Sequence, residues 1–130
     1  MAVRERIIPV LVCDDVAAAH DFLVEAFGCT TGGVHRDAAG LAVHAELLFG
    51  GSVVWLHRAA IEMNLGSERT TTTASTGLVV HVANVDEHFQ RAKASGAQID
   101  SEPQDTFYGQ REYGARDLDG HRWWFSSPKA

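Results

Sequence analysis

The chain has 130 residues, a formal charge of −6, and apolar residues at 45% against 22% charged. That suffices for one domain with a real core, whereas each half alone would be marginal. The acidic balance and the absence of any Lys/Arg run argue against nucleic acid as a partner, and no apolar stretch is long enough for a membrane span or a signal segment.

Ile7 to Val12 is almost wholly apolar and predicts a strand covered on both faces. Asp14 or Asp15 then caps a helix whose apolar positions, Val16, Ala19, Phe22, Leu23, Ala26 and Phe27, form one stripe, with Gly28 as its terminator. Strands follow near Thr30 to Arg36, Leu41 to Leu48 and Ser52 to His57, the last two joined at Gly50-Gly51. Polar Ala59 to Thr76, with the threonine run Thr70 to Thr73, predicts an exposed connector. A strand from Leu78 to Val82 leads to a second helix, capped by Asn84, buried along Val85, Phe89 and Ala92, and ended at Gly96. Strands near Gln98 to Ser101, Arg111 to Arg116 and His121 to Ser126 complete the chain, with a loop from Pro103 to Gly109 and a turn at Asp117-Leu118-Asp119-Gly120. Cys13 and Cys29 lack any scaffold or metal spacing and are expected as reduced thiols.

This order is βαβββ twice. Asp15 and Asn84, and Gly51 and Gly120, are separated by the same interval, which marks two copies of one unit. The fold expected is α+β: module 1 about 3–58, a linker at 59–74, and module 2 about 75–128, within a single domain spanning 1–130. Two open sheets leave a concave ligand face between or beneath them.

Paired βαβββ modules, with Tyr108-Gly109-Gln110-Arg111-Glu112-Tyr113-Gly114 followed by Asp117-Leu118-Asp119-Gly120-His121-Arg122-Trp123-Trp124-Phe125, resemble the vicinal oxygen chelate superfamily of glyoxalases, extradiol dioxygenases and bleomycin resistance proteins. With that closing segment, Val43-His44-Ala45-Glu46-Leu47 resembles its glyoxalase-like, PhnB-like branch. The resemblance implies metal ligands on the first and last strand of each module. Those positions fall at Ile8, Trp55, Gly77 and Trp124, none of which offers a donor atom. Neither a metal nor another cofactor is therefore expected, and two tryptophans at matched positions would stack on a planar ligand instead. The resemblance also implies a homodimer.

Strand alternation puts His81 on the face of Gly77, and Arg122 on the face of Trp124, where a guanidinium could donate to a ligand carbonyl or carboxylate. His44 and Glu46 share a face, and by the repeat interval His44 would match Tyr113. The expected ligand-binding set is Trp55, His81, Arg122 and Trp124, joined by His44 and Glu46. Arg111 could reach the same concavity. Trp123 and Phe125 belong under the helices, His20, His35 and His88 in solvent, and His121 at the turn.

The function expected first is metal-independent binding of a planar aromatic compound, such as an antibiotic, by a cytoplasmic protein that breaks no bond in it. Its rivals are a glyoxalase-like lyase, isomerase or dioxygenase working through a displaced metal at His44, Glu46 and His81 or through those groups as acids and bases, and a structural or regulatory dimer. No residue is assigned a catalytic role in the favoured case.

Overall fold

The repeated unit is visible in the strand order of the computed structural model, which describes residues 5–69 and 73–129. In the first half, β1 (Val10–Cys13), α1 (Val16–Phe27), β2 (Thr30–Arg36), β3 (Ala42–Phe49) and β4 (Ser52–Arg58) form a sheet ordered β1-β4-β3-β2. In the second, β5 (Gly77–His81), α2 (Val85–Ala94), β6 (Gln98–Asp105), β7 (Gln110–Arg116) and β8 (Arg122–Pro128) form a sheet ordered β5-β8-β7-β6. The first strand of each pairs in parallel with the last, and the other pairs are antiparallel. Val3, the expected start of module 1, and Thr70 to Thr72 of the threonine run lie outside the described residues.

Both helices start where the sequence places them. Asp15 accepts from the Ala18 amide at 3.0 Å and Asn84 from the Glu87 amide at 3.0 Å, each using a side-chain oxygen on an otherwise unpaired first-turn N–H. Gly28, at φ +76°, closes α1 in the left-handed conformation that favours glycine. Arg91 of α2 donates to the Glu25 and Val24 carbonyls at 2.9 and 3.3 Å, so a cation of one module caps the negative end of the other's helix.

One core runs through both modules. Leu23, Ala26 and Phe27 of α1 pack with Ala45, Leu47 and Leu56 of the first sheet, while Val85, Phe89 and Ala92 pack with Tyr113, Trp123 and Phe125 of the second. Phe27 bridges the halves, with its ring centroid 4.8 Å from Phe125 and 5.5 Å from Trp123. Trp123 and Phe125 are wholly buried on the helix face, as strand alternation requires.

Three segments depart from the expected pattern. The first strand begins at Val10, not Ile7, and only Leu11 and Cys13 face the core; Ile7 is 93% exposed, so the apolar run is not a strand covered on both sides. β6 continues through Pro103 to Asp105, because on an edge strand with two register shifts the missing proline N–H breaks no ladder bond. The connector is anchored: a short 3-10 turn at Ile61–Met63 is closed by the Ala60–Leu65 bridge, and Arg69 pairs with Asp14 at 3.0 Å and with Asp119 at 3.4 Å. No helix among the described residues is long and apolar enough to cross a membrane.

Candidate functional site

The helices cover one face of each sheet. On the first sheet the opposite face carries Val10, His44, Glu46, Trp55 and His57; on the second it carries Gly77, Val79, Arg122 and Trp124. Val10 and Val79 are exposed there, with little apolar cover. These two open faces are the candidate site.

Trp124 is the centre of the second face. A Cβ on Gly77 would overlap its Cζ3, and a Cβ on Gly114 would lie 3.3 Å from its Cδ1 and Nε1. The indole therefore lies across β8 from β7 to β5, over two positions that carry no side chain, and 36% of the residue remains exposed. Gly114 is held beneath it by a 3.0 Å bond from its amide to Ser101 Oγ.

Trp55 occupies the matching place on the first face, but with a different environment. Its Nε1 donates to Glu46 Oε2 at 3.0 Å, and its ring meets His44 edge-on at 5.1 Å. Gly32 leaves room for Glu46, since a Cβ there would come within 2.8 Å of its carboxylate. Burial, reinforced by His35 and His57, holds the His44 pKa below its ordinary value.

Five of the six sequence-predicted residues thus form two groups: His44, Glu46 and Trp55 on the first sheet, Arg122 and Trp124 on the second. His81, at the end of β5, is exposed and lines a cleft of about 1020 Å³ between the β3–β4 hairpin and β5, together with Phe27, Phe49, Leu78, His88 and Arg91. That cleft takes in neither Trp55 nor Trp124. Arg122 lines a smaller cleft of about 390 Å³ and donates through a guanidinium nitrogen to the Gly120 carbonyl.

Arg111 does not reach the open face. It shares the helix side with Tyr113 and pairs with Asp86 at 2.9 Å and Asp105 at 3.1 Å. The expected match of His44 with Tyr113 fails for a related reason. Trp55 pairs with Glu46, but Trp124 pairs with Gly114, because the Asp117 amide donates to the His121 carbonyl and closes a loop of three residues, 118–120, against the two of Gly50-Gly51. The counterpart of His44 is Glu112, and a one-residue slip moves a side chain to the other face.

Two histidines expected in solvent are structural. His20 is buried and lies 2.6 Å from Thr31 Oγ1. His88 donates Nε2–H to the Phe27 carbonyl at 2.8 Å, accepts at Nδ1 from the Tyr113 hydroxyl at 2.5 Å, and stacks on Phe125 at 4.1 Å. Its spacing three residues after Val85, on the flank of the buried stripe, was the available signal.

Asp117, Asp119 and His121 have donor atoms within 4.8 Å of one another. Both Asp117 oxygens are already engaged, by the Asp119 and His121 amides, the His121 ring and Trp123 Nε1. The cluster staples the turn. No other group of three such residues this close occurs among the described residues, and His44 and Glu46 sit on a different sheet from His81.

The profile of the Glyoxalase/Bleomycin resistance protein/Dioxygenase superfamily matches residues 6–125. The chain belongs to that superfamily. It is 34% identical to TioX from Micromonospora sp. ML1, covering 97% of this chain and 98% of that one, at a TM-score of 0.73. It is also 34% identical over 129 residues to an uncharacterized protein of Mycobacterium tuberculosis, covering 97% of this chain and 76% of that one. A glyoxalase-related enzyme from Fulvimarina pelagi shares the fold at 20% identity and a TM-score of 0.72, with 95% and 88% of the two chains covered.

The superfamily's metal does not fit the positions that the resemblance supplies. Ile8, Trp55, Gly77 and Trp124 carry no metal-binding atom. In the second module the space above Gly77 is filled by the Trp124 ring.

Proposed function

We propose that this superfamily member binds a planar aromatic small molecule by stacking it on Trp124, and that it does so without a metal and leaves the ligand chemically unchanged. The observation that carries this is the indole laid over Gly77 and Gly114 with its outer side open. A ring needs a flat, rigid partner that loses little freedom on binding, and two glycines beneath an indole provide that. Stacking is worth about 0.5–1.5 kcal/mol, and covering about 100 Å² adds on the order of 2.5 kcal/mol. Micromolar affinity needs about 8 kcal/mol, so the rest must come from further burial. Pairing the open faces of two chains in a homodimer would supply it, bringing Trp55, His44, Glu46, His81 and Arg122 around the ligand. On this proposal the chain is a cytoplasmic sequestering protein of the bleomycin resistance kind, in the PhnB-like branch, and its ligand is an aromatic antibiotic or metabolite.

The test is quenching of tryptophan fluorescence in a Trp55→Phe background by a panel of aromatic antibiotics, with and without chelator. Trp123 is wholly buried and Trp124 is exposed, so the change on ring stacking is read against a constant Trp123 background and reports Trp124. Saturable quenching that survives chelation, with the ligand recovered intact and the dimer mass in native spectrometry, is the expected result. Binding lost on chelation, or turnover restored by added metal, would establish a displaced-metal enzyme instead. A dimer that quenches with no member of the panel would favour the structural role.

A further inference from the structure

Three histidines stand in one row across the first sheet. His35 of β2 is the cross-strand partner of His44 of β3, and His44 is the partner of His57 of β4. Cross-strand partners project to the same side, here the open face. The ring centroids of His35 and His57 lie 5.6 and 6.5 Å from that of His44.

We propose that His35, His44 and His57 form a binding site for a divalent transition metal, with His44 as the central ligand. Three neutral imidazoles on one rigid sheet are a donor set for zinc, cobalt, nickel or copper rather than magnesium or calcium. The spacing suits it. With metal–nitrogen bonds near 2.1 Å, two imidazole centroids on one tetrahedral ion lie about 5 Å apart. Each of the two neighbouring pairs is within about 1.5 Å of that, and because His35 and His57 flank His44 from opposite sides, both rings must rotate in toward His44 to share one ion.

His57 is already oriented. Its Nδ1–H donates to the Arg58 carbonyl at 2.7 Å, which leaves Nε2 as the lone-pair nitrogen. His35 is the adjustable ligand: it is exposed and sits where β2 shifts register against β3. Glu46 lies two residues from His44 on the same face, bonded to Trp55. Three protein nitrogens leave coordination positions open toward the face's exterior. These ligands come from β2, β3 and β4, so the site is separate from the superfamily positions at Ile8, Trp55, Gly77 and Trp124.

The test uses tag-free protein titrated with Co²⁺ and Ni²⁺. Co²⁺ reports coordination by its visible absorption, and Ni²⁺ by quenching Trp55, whose ring is 5.1 Å from that of His44. One equivalent per chain is expected, with affinity falling at least about tenfold in His44→Gln and in His57→Gln, and unchanged in His81→Gln. Two separate positions guard against one variant failing to fold. Binding absent from the native chain, retained at full strength in His44→Gln or His57→Gln, or lost in His81→Gln would overturn the site.

Discussion

The Trp124 indole occupies the space that a side chain at Gly77 would need. Gly77 has no positive φ, so the requirement for glycine is steric and comes chiefly from the ring, with the Arg122 carbonyl oxygen a further tight neighbour at 3.1 Å. The first and last strands of the second module thus present one aromatic platform where the resemblance would place two metal donors. Gly77→Ala should tilt the indole off the sheet, redden its emission in the Trp55→Phe background, and weaken ring binding at least about tenfold, while the far-ultraviolet spectrum stays native. Ring binding at native strength in this variant would remove the platform from the mechanism.

The pH dependence of stability should have two opposed limbs. Burial disfavours the charged form of His88 and holds its pKa below the ordinary value. Its contribution is full above about pH 6.5 and is lost as pH falls through the lower folded value. Burial opposes the charge on His121 as well, but Asp117, Asp119 and Glu68 together outweigh it and raise the pKa. That contribution is full below about pH 6.5 and is lost as pH rises through the folded value. The two sum to a maximum near pH 6.5, measured as the urea midpoint against pH. His88→Gln should flatten the acid limb and His121→Asn the alkaline one; unchanged limbs would refute the assignment.

Much of this fold is legible in the sequence because its signals are local. The Asp15 and Asn84 caps, the helical stripes and Gly28 each act within a few residues, and the repeat is carried by junctions of that kind. Trp123 and Phe125 follow from strand alternation once β8 is placed. The rest depends on long-range contacts. One extra residue in a turn changed the face assigned to Tyr113 and separated it from His44. His88 is structural only because Phe27 and Tyr113, distant in sequence, arrive beside it. The histidine row is invisible in a linear reading, since His35, His44 and His57 meet only when the strand register is known. The Trp124 platform was half legible: the bare position and the tryptophan were evident, but not that one fills the other.

Phe27 joins the halves, so removing its ring should weaken both at once. It contacts Phe22, His88, Trp123 and Phe125 within one core. Phe27→Ala should cost about 3–5 kcal/mol, and the modules should still unfold in a single transition, detected identically by circular dichroism and by tryptophan fluorescence. Two separated transitions would show that the modules fold independently in the native chain.

Burial should separate two carboxylates that look alike in sequence. Asp100 pairs with Arg116 at 2.9 Å on the partly exposed edge of the second sheet, where such a pair contributes about 0–1 kcal/mol. Asp117 is buried, and its two oxygens collect two amides, the His121 ring at 2.8 Å and Trp123 Nε1 at 3.0 Å. Replacing one of those oxygens with an amide group sets an N–H against groups that all donate and leaves His121 without its counter-charge. Asp117→Asn should therefore cost about 3–5 kcal/mol, against about 1 kcal/mol or less for Asp100→Asn. It should also shift Trp123 emission, because its indole N–H loses a charged acceptor. Urea denaturation of the two variants side by side is the measurement. Equal losses would mean that the turn is held by its backbone alone, and that the buried aspartate contributes no more than a surface one.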